Sequence, residues 1–292
     1  MKFMNNKIVI NPIGGLANRM RTLAGGVALA NEIGAEFDVV WCRNWEVAAA
    51  FEDVFELPEC LVNKIKYPGR LRYGLWYSIP RKKNLYFSAF SLQRFGISLF
   101  DSVSPLKDIL ANDNDSDATL KGIVEGTLHN HKNCFIQGGT NIYRFSLDEY
   151  RRMFVLKREL HEEVVKIKMS LGSSSVGVHI RRTDNYESKT HSPDSLFIEA
   201  MEREIDRDTN VRFYLATDDE AVKATFRRRF GERLMSSPYC ARRDSKEGII
   251  HAAEEMFILA GTNKILGSYY SSFSEAAAML GGIQLFTVRN IP

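Results

Sequence analysis

Apolar and polar positions near the start of the chain switch between two periods. Residues 7–11 are a short β-rich run, closed by the breaker Pro12-Ile13-Gly14-Gly15. From Arg19 onward Met20, Leu23, Ala24, Val27 and Ala30 recur at helical spacing, and Gly34 ends the pattern. Residues 35–41 return to a strand pattern. Strand, glycine-rich turn, helix and strand make a βαβ opening, which calls for a parallel sheet covered by helices.

The same alternation returns in the second half. Residues 176–180, 211–216, 264–267 and 283–288 read as strands, and 193–205, 220–229, 249–260 and 273–280 as helices. Before them, 133–137 is a strand ended by Gly138-Gly139. Residues 151–169 are charged and amphipathic, with Leu156, Leu160, Val164, Ile167 and Met169 near one face; they predict a single interdomain helix. Residues 171–175 follow as a Gly/Ser break. Between 42 and 133 the pattern is weaker. Phe51, Val54, Phe55 and Leu57 predict a small packed helix or turn, and the aromatics between Tyr67 and Phe100 alternate with Arg and Lys without a usable period. An α/β chain of two domains, 1–155 and 156–292, is expected.

Composition narrows the class. A length of 292 residues suits two domains, and 45% hydrophobic with 26% charged residues argues against disorder and against a membrane protein. The net charge of +3 is too small to argue for nucleic acid, and the runs Arg227-Arg228-Arg229 and Arg242-Arg243 fit solvated helix faces. The chain has no run of about 18 apolar residues for a transmembrane helix, nor room before Ile8 for a signal core of ~7–15 residues. Cys42, Cys60, Cys134 and Cys240 are scattered, with no C-x-x-C pair, so reduced thiols and a cytoplasmic enzyme are expected. The acidic stretch 112–117 lacks the Gly and terminal Glu of a calcium loop and reads as a solvated turn.

Four segments can carry chemistry. Val176-Gly177-Val178-His179-Ile180 runs directly into Arg181-Arg182-Thr183-Asp184. Ligands gather outside the C-terminal ends of strands in open α/β sheets, and an arginine there can give a bidentate fork to phosphate. A surface Arg–Asp pair explains the same residues. Ser271-Ser272-Phe273-Ser274-Glu275 opens a helix, with Ser271 or Ser272 as N-cap and Ser272 with Glu275 as a capping box; a helix start also binds anions. Asp218-Asp219 follow a strand, where they can accept from ribose or base groups or simply cap the next helix. Gly14-Gly15-Leu16-Ala17-Asn18-Arg19 allows close approach to the backbone, yet has neither dinucleotide nor Walker spacing. No histidine pair has metal-ligand spacing, so no metal is expected.

Taken in order, these segments resemble the superfamily of α1,2-, α1,6- and protein O-fucosyltransferases, including the nodulation-factor type. His179-Ile180-Arg181-Arg182-Thr183-Asp184 is similar to the H-x-R-R-x-D motif, Leu215-Ala216-Thr217-Asp218-Asp219 to the second motif and Ser271-Ser272-Phe273-Ser274 to the third. Gly14 to Arg19 is similar to the N-terminal G-G-x-x-N-[QR] loop. The resemblance implies a GT-B-like fold of two Rossmann-like domains with parallel sheets and a cleft between them. It implies an inverting, metal-independent transferase moving L-fucose from GDP-fucose to a glycan acceptor, which the N-terminal domain holds. Arg181 then grips the β-phosphate, Arg182 is a second cation and Ser272 contacts phosphate. Glu255 stands where relatives carry an aspartate facing guanine, and Asn18 lies near the reacting sugar. Asp184 is a candidate base, although a loose mechanism with little base assistance is equally open. His179, Ser271, Phe273, Asp218, Asp219, Gly14, Gly15 and Arg19 complete the expected donor-binding set. The rival readings are a sugar-nucleotide enzyme with another donor and a non-catalytic nucleotide- or glycan-binding module. Peripheral membrane contact stays open.

Overall fold

The computed structural model describes residues 7–67, 98–100, 116–130, 133–183, 185–239 and 242–290. Asp184, Cys240, residues 112–115 and most of the aromatic stretch 67–100 lie outside the described residues. The chain forms two compact units, Met1–Phe51 with Leu57–Met153 and Glu52–Glu56 with Phe154–Pro292.

In the first unit a five-stranded parallel sheet runs in the order β3-β2-β1-β5-β4. Its strands are β1 (Lys7–Pro12), β2 (Glu36–Val40), β3 (Ile65–Lys66), β4 (Ser98–Phe100) and β5 (Asn133–Gly138). The helix Leu16–Ile33 connects β1 to β2, packs on both, and buries Met20, Leu23, Val27, Leu29 and Ala30. Gly34 ends it in the left-handed region at φ 68°, a conformation that costs glycine least.

In the second unit the parallel order is β10-β9-β6-β7-β8, from β6 (Ser175–Ile180), β7 (Arg212–Thr217), β8 (Leu234–Ser236), β9 (Lys264–Ser268) and β10 (Gln284–Val288). The helices Asp194–Arg207, Glu220–Phe230, Lys246–Ala260 and Ser272–Gly281 alternate with these strands. Every residue of β6 is buried, as a central parallel strand requires. Val176, Val178 and Ile180 join Phe197, Met201, Phe213, Leu215, Phe226 and Leu266 in one core. Succession first runs outward from β6 through β7 to β8, then resumes on the other side with β9 and β10. The C-terminal ends of β6 and β9 are therefore a topological switch point, where such sheets bind ligands.

Two local expectations are corrected. Residues 151–169 do not form one helix: Leu147–Met153 and Arg158–Leu171 are separate, with an extended link between them. Glu56 N–H donates to the Val155 carbonyl at 2.8 Å and Lys157 N–H to the Val54 carbonyl at 3.0 Å, and Phe55 bridges Leu156 antiparallel. Phe55 and Phe154 meet edge to face with ring centroids 5.3 Å apart. Pairing with a distant segment has overridden local helical periodicity. Met169, placed near the apolar face by spacing, is 77% exposed, whereas Val164 and Leu171 are buried. Also, of the two N-caps expected, Ser271 is the one taken, so N3 is Ser274 and the expected Ser272–Glu275 capping box is not formed; the cap carries no side-chain hydrogen bond.

Candidate active site

β6 buries His179 inside the protein and ends at Ile180, so Arg181 stands just past the C-terminal end of the strand, at its rim. Arg181 lies within reach of β9, since its N–H donates to Ser268 Oγ at 3.0 Å. Its guanidinium Nη1 is 2.5 Å from Asp218 Oδ2 at the end of β7, and 15% of the side chain stays exposed. Asp218 also accepts from the N–H groups of Arg182 at 2.8 Å and Thr183 at 3.2 Å, and from the Thr183 hydroxyl at 2.5 Å. Burial opposes its charge, but the Arg181 guanidinium and these hydrogen bonds hold its carboxyl below the ordinary range. Asp218 thus fixes the turn that presents Arg181. Asp219 behaves differently: its carboxylate caps the helix Glu220–Phe230, accepting from Ala221 N–H at 2.8 Å and Val222 N–H at 3.3 Å. Of the two duties open to the Asp pair, helix capping is realised at Asp219, whereas Asp218 holds the loop after β6.

His179 ties the strand to the start of the helix Ser272–Gly281. Its Nδ1 is 2.7 Å from Ser274 Oγ and 3.4 Å from Ser271 Oγ, and its ring stacks on Phe273 with centroids 4.7 Å apart. Burial, then the neighbouring Arg181 and Arg182 charges, push its pKa down to about 3, so the ring is neutral at working pH. Ser271 therefore turns its hydroxyl towards His179, while the amide groups of the first helical turn lie beside Arg181's strand. Arg181 and a helix N-terminus thus both stand at the switch point, and the two kinds of group are ones that bind phosphate.

Arg182, expected as a second cation for the ligand, is committed elsewhere. Its Nε donates to Asp194 Oδ1 at 3.0 Å, Nη1 to the Arg181 carbonyl at 2.9 Å and Nη2 to the Ser192 carbonyl at 2.9 Å. It pins the loop after β6 to the start of the helix Asp194–Arg207. That loop is joined to the one after β9 by Asn185 Nδ2 to the Tyr270 carbonyl at 2.9 Å, Ser188 Oγ to the Tyr269 carbonyl at 2.6 Å and Tyr269 N–H to Ser192 Oγ at 2.8 Å. Asn185, Ser188, Ser192, Asp194 and Ser268 are residues that sequence reasoning did not single out, and Ser274 was named only as part of the serine turn. Only Asn185 announced itself, as a cap one residue before the helix Tyr186–His191.

Glu255 is buried on the helix Lys246–Ala260, 4% exposed, and its Oε1 has no hydrogen-bond partner among the described residues. Burial pushes its pKa up to about 8 against the opposing charge of Lys223, with Asp218 among the acids that push the same way.

In the first unit Gly14 adopts φ +82°, and a Cβ there would come within 3.1 Å of Asn18 Nδ2. Gly14 N–H donates to Glu46 Oε2 at 3.0 Å, and Gly15 is the N-cap of the helix Leu16–Ile33. Arg19, expected among the donor-binding residues by resemblance, is completely buried. Nε donates to the Gly14 carbonyl at 2.9 Å, Nη1 to the Cys42 carbonyl at 2.5 Å and Nη2 to Asn44 Oδ1 at 2.7 Å, and the guanidinium lies over Trp41. These bonds shape the loop after β1. Asn18 keeps a partly exposed position, its Oδ1 accepting from Arg21 Nη2 at 2.9 Å.

The sequence matches no family model and no curated protein. Solved structures are similar over nearly the whole chain. NodZ alpha-1,6-fucosyltransferase soaked with GDP-fucose is 17% identical, with a TM-score of 0.57, 94% of this chain and 92% of that one covered. Arabidopsis thaliana FUT1 in complex with GDP is 10% identical, with a TM-score of 0.62 and coverage of 97% and 70%. POFUT1 in complex with GDP-fucose is 10% identical, with a TM-score of 0.56 and 99% of each chain covered. The α/β architecture with two parallel sheets is that of the GT-B fucosyltransferases, and the chain shares their fold.

Proposed function

We propose that the chain is an inverting, metal-independent glycosyltransferase that moves L-fucose from GDP-fucose to a glycan acceptor. The second unit holds the donor and the first the acceptor. One observation carries this reading: Arg181 and the start of the helix Ser272–Gly281 both stand at the switch point of the second sheet. The folds of enzymes crystallised with GDP or GDP-fucose support the choice of donor.

In the proposed mechanism, Arg181 and the amide groups after Ser271 receive the pyrophosphate. Departure of GDP builds negative charge there, and groups already oriented stabilise it without reorganising. Arginine does the work that a divalent cation does in other transferases. Asp218 keeps the guanidinium aimed, and neutral His179 holds Ser274 and Phe273 so that the helix start stays in place. Its neutrality leaves the positive field at this point to Arg181 and the helix. Glu255 receives the guanine edge, and the Gly14–Asn18 turn approaches the fucosyl group. Arg182 and Arg19 act only through the loops that they secure.

Thermal-shift measurements with GDP, UDP, ADP and their sugars test the donor. GDP at ~100 times its dissociation constant adds about 2.7 kcal/mol of stability. The expected order places GDP and GDP-fucose first, and equal or larger stabilisation by UDP removes the fucosyl assignment. Sugar transfer should persist in EDTA; activity lost there and restored by manganese would refute the arginine-based site.

A further inference from the structure

His251 and Glu255 lie one turn apart on the helix Lys246–Ala260, and hence on one face. Above that face the Tyr239 ring lies flat on His251, with centroids 4.0 Å apart and planes within 7°. Tyr239 is 56% exposed, so core packing does not force this stack. Its backbone is held: buried Lys223 donates from Nζ to the Tyr239 carbonyl at 2.7 Å and to Glu220 Oε1 at 2.8 Å. A turn of the Tyr239 side chain, with its backbone still held, would uncover the ring face of His251 that it stacks on. His251 itself is steadied by Glu254, whose Oε2 is 3.0 Å from Nδ1. Next to it is the unpartnered, buried Oε1 of Glu255.

We infer that the His251 ring is the stacking wall for the donor's nucleobase, and that Tyr239 occupies the base's place while the site is empty. This rests on the donor reading and adds the means of holding a planar purine. The base lies with its face on His251 and its N–H edge towards Glu255. A carboxylate matches the two parallel N–H donors of guanine; adenine offers an acceptor on the corresponding edge, and uracil sets one N–H between two carbonyls. Lys223 supplies the opposite charge near Glu255 and anchors the Tyr239 backbone, so carboxylate and lid answer to the same lysine. Burying Oε1 without a partner costs free energy, which a hydrogen-bonding ligand edge recovers. Displacing the Tyr239 ring then taxes binding by the fraction of time it covers His251.

The test measures binding of GDP, UDP and inorganic pyrophosphate to the full chain by calorimetry. His251→Ala should weaken GDP by ~10-fold, the scale of a lost base–aromatic stack. His251→Phe should keep the parental affinity. Tyr239→Ala should act in the opposite direction and tighten GDP a few-fold, because the base no longer competes with a side chain. Pyrophosphate, which has no base, should bind parent and variants alike. Parental GDP affinity in a folded His251→Ala protein overturns the stacking wall, and weaker GDP binding in Tyr239→Ala overturns the stand-in. If the parent binds neither GDP nor pyrophosphate, the donor reading falls and takes this inference with it. If GDP binds and only the variants disagree, the inference alone is lost.

Discussion

Asp218 accepts from a guanidinium, two backbone N–H groups and a hydroxyl, so its removal reaches activity through Arg181 and its own turn. Arg181 is the residue expected to touch the leaving group. Arg181→Ala should lower the transfer rate about 10²–10³-fold, the loss seen when one oriented donor to developing charge is deleted. Arg181→Lys keeps the charge but not the planar fork and should recover only part of that rate. Melting temperatures must accompany the rates, because either change also breaks the pair with Asp218. A well-folded Arg181→Ala enzyme at the parental rate would end the proposed role. Glu255 gives a pH signature with two signs. Its pKa rises from 4.5 to about 8 on folding, so the folded state holds a proton that the unfolded state has lost. Stability should fall as pH climbs through that interval and level off above about 8. His179, depressed from 6.5 to about 3, acts oppositely below 6.5, which leaves the interval from 6.5 to about 8 to report on Glu255. There GDP affinity should rise as the unliganded protein weakens, because the carboxylate is the form that accepts guanine N–H groups. Denaturation and binding followed across this interval check both slopes. Glu255→Gln should flatten both, and a slope unchanged in that variant belongs to another group.

Strand and helix meet closely at Gly267. A Cβ on this residue of β9 would lie 2.7 Å from both Cβ and Oγ of Ser274 and 2.8 Å from Leu285 Cδ1. Gly267→Ala should therefore push back the first turn of the helix Ser272–Gly281 and cost about 1–3 kcal/mol by overpacking. If that turn binds phosphate, GDP should weaken more than stability alone accounts for, and pyrophosphate by the same factor. Affinity unchanged in a destabilised Gly267→Ala protein would detach the helix start from the ligand. Periodicity made these elements legible: buried parallel strands such as 176–180 and amphipathic helices such as 193–205 are encoded locally, and their order implies the sheet. The stretch 151–169 misled because Leu156 fits both a helical face and an extended pairing, and the choice belongs to the distant residues 54–56. At the candidate site, strand ends and helix starts made the positions of Arg181, Ser271 and Ser272 legible, and the motif resemblance alone singled out Glu255. The sequence could not say which arginines are spent internally. Arg19 and Arg182 look like ligand cations until Asn44, Cys42, Ser192 and Asp194 are brought to them by the fold.

Across the molecule, the two units divide the proposed work, and hydrogen exchange can read each separately. GDP without a sugar should protect amides only in the second unit: the turn at Arg181–Thr183, the face bearing His251 and Glu255, and the first turn after Ser271. The Gly14–Arg19 turn of the first unit should exchange as it does in the unliganded protein, because its proposed partner is the fucosyl group and not the nucleotide. GDP-fucose should then slow exchange at that turn as well. Gly14→Ala provides the contrast. Its φ of +82° is strained for any residue with a Cβ, and the added carbon would crowd the Asn18 amide, so the turn should deform. This variant should bind GDP normally, transfer fucose poorly and lose the extra protection that the sugar brings. Protection of Gly14–Arg19 by GDP alone would move the nucleotide contact into the first unit. The same pattern with GDP and GDP-fucose in the parent would mean that the turn never meets the sugar, and the role proposed for Asn18 would have to be withdrawn.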